Sequence, residues 1–226
     1  KNEPDDVLLD KARSAFKQSS KTVENSELLN KTVEETRQVA EKGEISKNER
    51  SRLFLYACGA YCKETASAKV NLTEASNLWF KGVEPEYVDD EGWTALHHAA
   101  GEGHTTVVEF LLNECKVNVD PTDEYNCTPL WVACCNDRRD AVKVLLTAGA
   151  DTEKSGKPEG EPAQKPSLAA RRNRHPGLAD LVDIEVELRQ ADPTRRQRQL
   201  AGDMTLQEFN ESTRQNMIGG NQGGAI

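Results

Sequence analysis

The chain has 226 residues, of which 36% are hydrophobic and 30% are charged, and its formal net charge is -9. This length suits one large domain or two small ones, and the low apolar share predicts a thin core or one distributed along an elongated molecule. The longest apolar stretch, from Leu53 to Cys62, is far shorter than the roughly 20 residues of a membrane-spanning helix. An integral membrane protein is therefore excluded.

The acidic charge and the cysteine content indicate the class of partner and the compartment. An acidic body disfavours nucleic-acid partners, because phosphates attract basic surfaces. Six cysteines in a chain of this length lack the density of a secreted disulfide scaffold and are typical of reduced thiols. We therefore expect an intracellular, reducing compartment, either the cytoplasm or the interior of an organelle. The sequence begins at Lys1 rather than at a methionine, which is compatible with a targeting peptide already removed.

Residues 1–45 are predicted to form two amphipathic helices that lie on another surface. The second helix ends at Gly43, and both are short of large apolar residues. The apolar positions of the first helix are Leu8, Ala12, Ala15 and Phe16, and those of the second are Leu28, Leu29, Val33, Val39 and Ala40.

Two further helices are predicted in residues 46–88. The first starts at Ser46, whose spacing to Glu49 is that of a capping box, in which each side chain satisfies a free backbone N–H. The second starts at Asn71 and ends near Gly82. This segment resembles the repeats described next only loosely, and we interpret it as a divergent leading unit.

Residues 89–155 contain an internal repeat with an offset of 34 residues. The block Thr94–Ala100 is matched by Thr128–Cys134, and the block Val107–Leu112 is matched by Ala141–Leu146. Each unit is predicted to contain a turn, a short helix, a tight loop and a longer helix. A unit of this size cannot bury its own apolar face, so neighbouring units must stack and share a core.

These units resemble ankyrin repeats. From Asp89 to His104 the sequence follows, nearly residue for residue, the pattern Asp-x-x-Gly-x-Thr-Pro-Leu-His-x-Ala-Ala-x-x-Gly-His. The second unit keeps most of the pattern, with Asn126 in place of the turn glycine and Trp131 in place of the histidine. A third, degenerate unit spans residues 165–182. The resemblance implies an all-α solenoid of helix-turn-helix units over residues 46–182, divided into 46–88, 89–122, 123–155 and the cap 165–182.

Residues 183–226 are predicted to be an extended, partly low-complexity arm. Asp183–Leu188 alternates in polarity like a strand, and the last eight residues are glycine-rich. Because such a segment carries little apolar surface, we expect residues 190–226 to become ordered only on a partner, with Phe209 and Met217 as anchors.

Metal binding and catalysis are both disfavoured by the motifs. The cysteines form no Cys-x-x-Cys pair, and buried packing explains Cys58, Cys62 and Cys134. No motif of a hydrolase, a phosphate-binding loop or a zinc protease occurs. We therefore expect no catalytic residue, no cofactor and no metal ion.

An arginine-rich region between Arg171 and Arg198 offers a different interpretation. It could bind an acidic protein surface or make a peripheral contact with an anionic membrane, or it could be a solvated helix face followed by a basic linker. Its members are Arg171, Arg172, Arg174, Arg195, Arg196 and Arg198.

The turn tips and short inner helices are the favoured binding surface, because in ankyrin repeats these positions face the partner. Trp93 either anchors a partner or folds back on its own repeat, and Trp131 either fills the space between repeats or opens onto the concave face. The residues that the resemblance implies for protein binding are Asp90, Glu91, Trp93, Glu102, Glu124, Tyr125, Asn136 and Arg172.

The sequence therefore predicts a non-catalytic protein-protein interaction module, an ankyrin-repeat adaptor or subunit that binds a partner protein within a larger assembly. The alternative is a structural subunit of a large complex, held through its N-terminal helices and its C-terminal arm, with the repeats as a spacer. The two hypotheses differ in which surface makes the contact.

Overall fold

A computed structural model describes residues 46–59, 71–158 and 160–219. The helices predicted for residues 1–45 lie outside the described residues. Within the described ranges the chain is helical, with ten helices. They are α1 Lys47–Ala57, α2 Leu72–Phe80, α3 Ala95–Glu102, α4 Thr105–Asn113, α5 Pro129–Cys135, α6 Arg139–Thr147, α7 Pro166–Arg172, α8 Pro176–Ala191, α9 Arg195–Ala201 and α10 Leu206–Gly219.

Side-chain caps start the first helices where the sequence predicts them. The Ser46 hydroxyl accepts a hydrogen bond from the backbone N–H of Glu49 at 3.2 Å, and the Asn71 side chain accepts one from Glu74 at 3.1 Å. Thr94 and Thr128 cap α3 and α5 in the same way. Each of these bonds satisfies an N–H group that the helix itself leaves without a partner.

Equivalent turns join the two helices of successive units. Gly103, Asp137 and Arg174 occupy the same position between the inner and outer helix, with φ of 78°, 55° and 69°. In the tips that precede the inner helices, Gly92 has φ 76° and Asn126 has φ 59°. Asn126, which stands in place of the turn glycine, thus adopts the left-handed conformation, which asparagine tolerates better than most residues.

The helices form two layers around one core. The inner helices α1, α3, α5 and α7 stack in order, and the outer helices α4, α6 and α8 pack behind them. Small side chains such as Ala99, Ala133 and Ala170 are fully buried, which allows neighbouring inner helices to approach closely. Leucines fill the space between the layers and are at most 1% exposed: Leu96, Leu111, Leu130, Leu145 and Leu146. The all-α ankyrin-type solenoid is therefore confirmed.

The predicted extended arm of residues 183–226 is wrong for the part that is described. Helix α8 continues through position 182 to Ala191, so no domain boundary lies there, and α9 and α10 follow. Helix α10 packs against α6 and α8, with Phe209 fully buried and Met217 47% exposed. Residues 190–219 therefore pack on the chain's own repeats. The alternating polarity of Asp183–Leu188 predicted a strand, but the segment is helical. The helical pattern was hidden because the buried face of this helix includes a charged residue, Glu185.

A buried polar network joins the three C-terminal helices. Glu185 of α8 is 0% exposed, and its carboxylate accepts hydrogen bonds from Arg195 at 2.9–3.2 Å, from Arg189 at 3.0 Å and from Gln199 at 2.7 Å. Arg195 also donates to the Ser212 hydroxyl of α10 at 3.0 Å. Burial lowers the pKa of the Arg189 guanidinium, an effect that the Glu185 carboxylate opposes. Because every charge has a partner, the network tolerates burial.

Two arginines, Arg189 of α8 and Arg196 of α9, attach these helices to the repeats. Arg189 donates to the carbonyl oxygens of Ala150 at 2.7 Å and Leu146 at 3.2 Å, which satisfies C-terminal groups of that helix. Arg196 donates to Asp120 at 3.2 Å, in the loop between the first and second well-matched units. The C-terminal helices therefore form a cap, residues 192–219, on the outer layer.

Candidate protein-binding face

Two hairpin tips precede the inner helices α3 and α5, and an aspartate holds each of them. The Asp89 carboxylate accepts hydrogen bonds from the backbone N–H groups of Glu91 at 3.0 Å and Trp93 at 2.9 Å. Asp123 repeats this arrangement in the second tip, at 2.9 and 2.8 Å. Antiparallel backbone bonds close both hairpins, so the tips are presented in a fixed conformation.

The tip residues that the sequence predicts for binding are exposed and lie close together. Asp90, Glu91 and Glu124 are exposed, and Tyr125 is 43% exposed. A Cβ atom at Gly92 would lie 3.2 Å from the backbone nitrogen of Glu124, so the first tip rests against the second. The structure thus brings four predicted residues onto one edge.

Trp93 is held by its own repeat and by the next one. Its side chain is half-buried, and its indole N–H donates to the Asp123 carboxylate at 3.1 Å. Its ring centroid lies 5.0 Å from that of His98, which itself bonds to Asp89 at 2.7 Å. Trp93 therefore stabilises the tip and the contact between neighbouring units. A substitution at Trp93 would lower the stability of the fold, so it cannot test binding by itself.

Trp131 fills the space between repeats. His97 donates through Nε2 to the carbonyl oxygen of Cys127 in the next unit at 3.0 Å. Trp131 occupies the same position one repeat later, and its indole N–H donates to the carbonyl oxygen of Gln164 at 2.9 Å. A tryptophan therefore makes an inter-repeat bond to a backbone carbonyl, as His97 does one repeat earlier.

The predicted residues on the inner helices are tied to their own chain. Glu102 lies 3.8 Å from Arg138, and the Asn136 amide donates to the carbonyl oxygen of Gly101 at 3.1 Å. Arg172 forms an ion pair with Glu161. The polar groups of these three positions therefore already have partners within the chain.

The arginine-rich region is also largely engaged within the chain. Arg171 pairs with Asp180 at 3.2 Å and with Asp183 at 2.6 Å. Arg172, Arg195 and Arg196 pair with carboxylates of this chain as described above. The interpretation as a solvated face with a basic linker is therefore wrong for Arg195 and Arg196, which hold the cap in place.

The described cysteines are free and have strongly protonated thiols. Burial raises the pKa of Cys115, Cys127 and Cys135 to about 12, and it raises the pKa of Cys58 and Cys134 further. A protonated thiol is a poor nucleophile and a poor metal ligand. Among the described residues, no three His, Cys, Asp or Glu side chains are arranged to hold a metal ion.

Acid should destabilise the fold through His97. Burial lowers its pKa from 6.5 to about 4, so the unfolded chain binds a proton between these values that the folded chain does not. The free energy of unfolding should therefore fall as the pH drops from about 7 to about 4, by up to about 3 kcal/mol. Urea denaturation across this range measures the fall. His97→Gln should show a smaller fall, and equal falls in both proteins would contradict this role.

A family model supports the repeat assignment. The model for ankyrin repeats in three copies matches residues 64–155. The resemblance seen in the sequence is confirmed for this part of the chain.

Curated relatives are similar over short stretches. A 26S proteasome non-ATPase regulatory subunit 10 of Dictyostelium discoideum is 35% identical over 71 residues, which is 31% of each chain. A serine/threonine-protein kinase 12 of Arabidopsis thaliana is 41% identical over 69 residues, 30% of this chain and 15% of the relative. A mitochondrial liver glutaminase of Rattus norvegicus is 43% identical over 63 residues, 28% of this chain and 10% of the relative. The chain thus spans less than a third of the length of these relatives, whose names describe different activities.

Proposed function

We propose that this protein is a non-catalytic adaptor or subunit that binds a partner protein through its tips and concave face, since a family model for ankyrin repeats matches residues 64–155. One observation carries the proposal. The cap of residues 192–219 packs on the outer helices α6 and α8, while Glu91, Glu124 and Tyr125 are exposed on the tips that precede the inner helices. We therefore infer that a partner binds at the tips and the adjoining concave side.

Rigidity of the tips supports this choice. Tyr125 donates its backbone N–H to Asp123 at 2.9 Å, and its carbonyl oxygen accepts from the Lys157 backbone N–H at 2.7 Å. An aromatic side chain on a fixed backbone costs little conformational entropy on binding, and such residues are frequent binding hot spots. Glu91 and Glu124 beside it are charges at the rim, which accelerate association with a basic partner.

The proposal predicts a selective loss of binding. Tyr125→Ala should weaken capture of the partner by at least about fivefold, because a hot-spot aromatic is worth more than 1 kcal/mol. The measurement is affinity capture from the native source with immobilised protein, quantified by mass spectrometry. Gln207→Ala, an exposed change on the cap, is the matched control and should leave capture unchanged.

Two results would contradict binding at the tips. If Tyr125→Ala and a Glu91→Lys/Glu124→Lys double variant both capture the same proteins as the unchanged chain, the concave side is not the binding surface. If only Gln207→Ala fails to capture these proteins, the cap is the binding surface.

Membership of a larger assembly is the other part of the proposal. It is supported by the similarity to a proteasome regulatory subunit, although the match covers 31% of that protein. The cap argues against attachment through a free C-terminal arm, since Phe209 and Arg195 are already buried in the chain. We infer that an assembly would hold this subunit by its repeats.

We propose that the protein works in a reducing compartment. Five described cysteines are unpaired, as expected for a reducing compartment, and we infer an intracellular location. Within the described ranges, no helix has the length and apolar content needed to cross a bilayer.

A further inference from the structure

The aspartates of the two tips obtain their hydrogen bonds from different units. In the first tip, one carboxylate oxygen of Asp89 accepts the tip's own backbone N–H groups, and the other bonds to His98 of the same unit at 2.7 Å. Val132 stands 34 residues after His98, at the equivalent position of the next unit, and its side chain has no polar group. The second tip therefore lacks the donor that the first tip obtains from its own inner helix.

Trp93 of the first tip supplies a donor to the second. Its indole N–H donates to Oδ2 of Asp123 at 3.1 Å. The other oxygen, Oδ1, accepts the backbone N–H groups of Tyr125 at 2.9 Å and Cys127 at 2.8 Å. Asp123 is 8% exposed, so water cannot readily replace a donor that is lost. One buried carboxylate thus joins the side chain of one tip to the backbone of the next.

The first unit fixes the position of the indole ring. The ring centroid of Trp93 lies 5.0 Å from that of His98 and 5.9 Å from that of His97, and both histidines belong to α3. His97 is fully buried and is itself bonded to the next unit. The direction of the indole N–H toward Asp123 is therefore set by side chains of the first unit.

We propose that Trp93 is a positioning residue for Tyr125, so that the conformation of the second tip depends on the first. The inference rests on the proposed function in one respect, namely that Tyr125 contacts the partner. A partner at Tyr125 then binds a surface that two units build together, and a change in the first tip alters its affinity without touching it.

Hydrogen exchange of single amides, measured by NMR on the isolated full chain, tests this coupling. Trp93→Phe keeps an aromatic ring and removes the indole N–H. Relative to the amides of α6, which report opening of the whole fold, those of Tyr125 and Cys127 should exchange at least about fivefold faster, because the carboxylate that holds them loses a hydrogen bond.

Trp131→Phe is the matched control. It removes an indole N–H that donates to the carbonyl oxygen of Gln164 at 2.9 Å, and it leaves the bonds of Asp123 in place. The exchange of the Tyr125 and Cys127 amides should therefore stay unchanged in this variant.

A double variant separates positioning from general destabilisation. Asp123→Asn keeps one oxygen for the two backbone N–H groups and replaces Oδ2 with an amide nitrogen, which cannot accept from Trp93. Asp123→Asn alone should accelerate exchange of the Tyr125 and Cys127 amides as Trp93→Phe does. Adding Trp93→Phe to Asp123→Asn should then change their exchange by less than about twofold, because the bond it removes is already absent.

Three results would overturn the proposal: an equal acceleration in α6, the same acceleration in Trp131→Phe, or the full effect of Trp93→Phe persisting in Asp123→Asn. No partner is present in this measurement. Its outcome is therefore distinguishable from a failure of the proposed binding surface, which the capture experiment with Tyr125→Ala tests.

Discussion

Replacing Arg195 with alanine should lower the free energy of unfolding by about 3–5 kcal/mol. The change removes the hydrogen bonds that Arg195 makes to the fully buried Glu185 and leaves that carboxylate with Arg189 and Gln199. A buried charge that loses its main partner cannot recover the hydration it gave up on folding. Since domains of this kind have a total stability of about 5–15 kcal/mol, the effect would be large.

Urea denaturation followed by circular dichroism measures this effect. Arg198→Ala is the matched control, because Arg198 lies in the same helix α9 and is exposed. It should change stability by less than about 0.5 kcal/mol. If the two variants are equally stable, the network around Glu185 contributes no more than a surface charge.

Replacing Phe209 with alanine should cost about 3–5 kcal/mol. Its ring is 0% exposed in the core that α10 shares with α6 and α8, so the change leaves a cavity. The Arg195 guanidinium lies 5.9 Å from the ring centroid, so the two variants are expected to be coupled and their effects not additive.

Leu206→Ala provides the comparison for Phe209. Leu206 belongs to the same helix but is 37% exposed, so its truncation should cost clearly less. Thermal unfolding of the isolated protein distinguishes the two. Equal melting temperatures for the unchanged chain and Phe209→Ala would restore the interpretation of residues 190–219 as an arm that orders on a partner.

The repeats were predictable because their signals are local. The spacing of Thr94 to His97, the turn at Asn126 and the 34-residue offset each follow from contacts within one unit or with its neighbour. Stacking then repeats those contacts, so a short pattern determines a long part of the fold. The orientation of the Trp131 side chain could not be predicted in this way, since it depends on a hydrogen bond to the carbonyl oxygen of Gln164, 33 residues further along the chain.

The C-terminal cap could not be predicted from composition. Its buried face uses Arg195 and Gln199, which bind Glu185 of α8, and hydropathy classes all three as surface residues. These side chains are buried because they satisfy one another between helices α8 and α9, and such pairing depends on tertiary geometry. For the candidate site, the exposed tips follow from the family pattern. The partner of Glu102 is Arg138 of the next unit, and the partner of Arg172 is Glu161 in the loop before α7, so neither follows from the pattern of one unit.

The bond between Arg196 and Asp120 joins residues 76 positions apart. A chain is synthesised from its N-terminus at about 5–20 residues per second, so Asp120 precedes its partner by about 4–15 s. During that interval the first repeats can fold through their local contacts, while the outer surface of α6 remains exposed to solvent. The cap therefore forms only near the end of synthesis. Chains truncated before Arg196 would expose the surface of α6 that the cap covers and would be prone to aggregate.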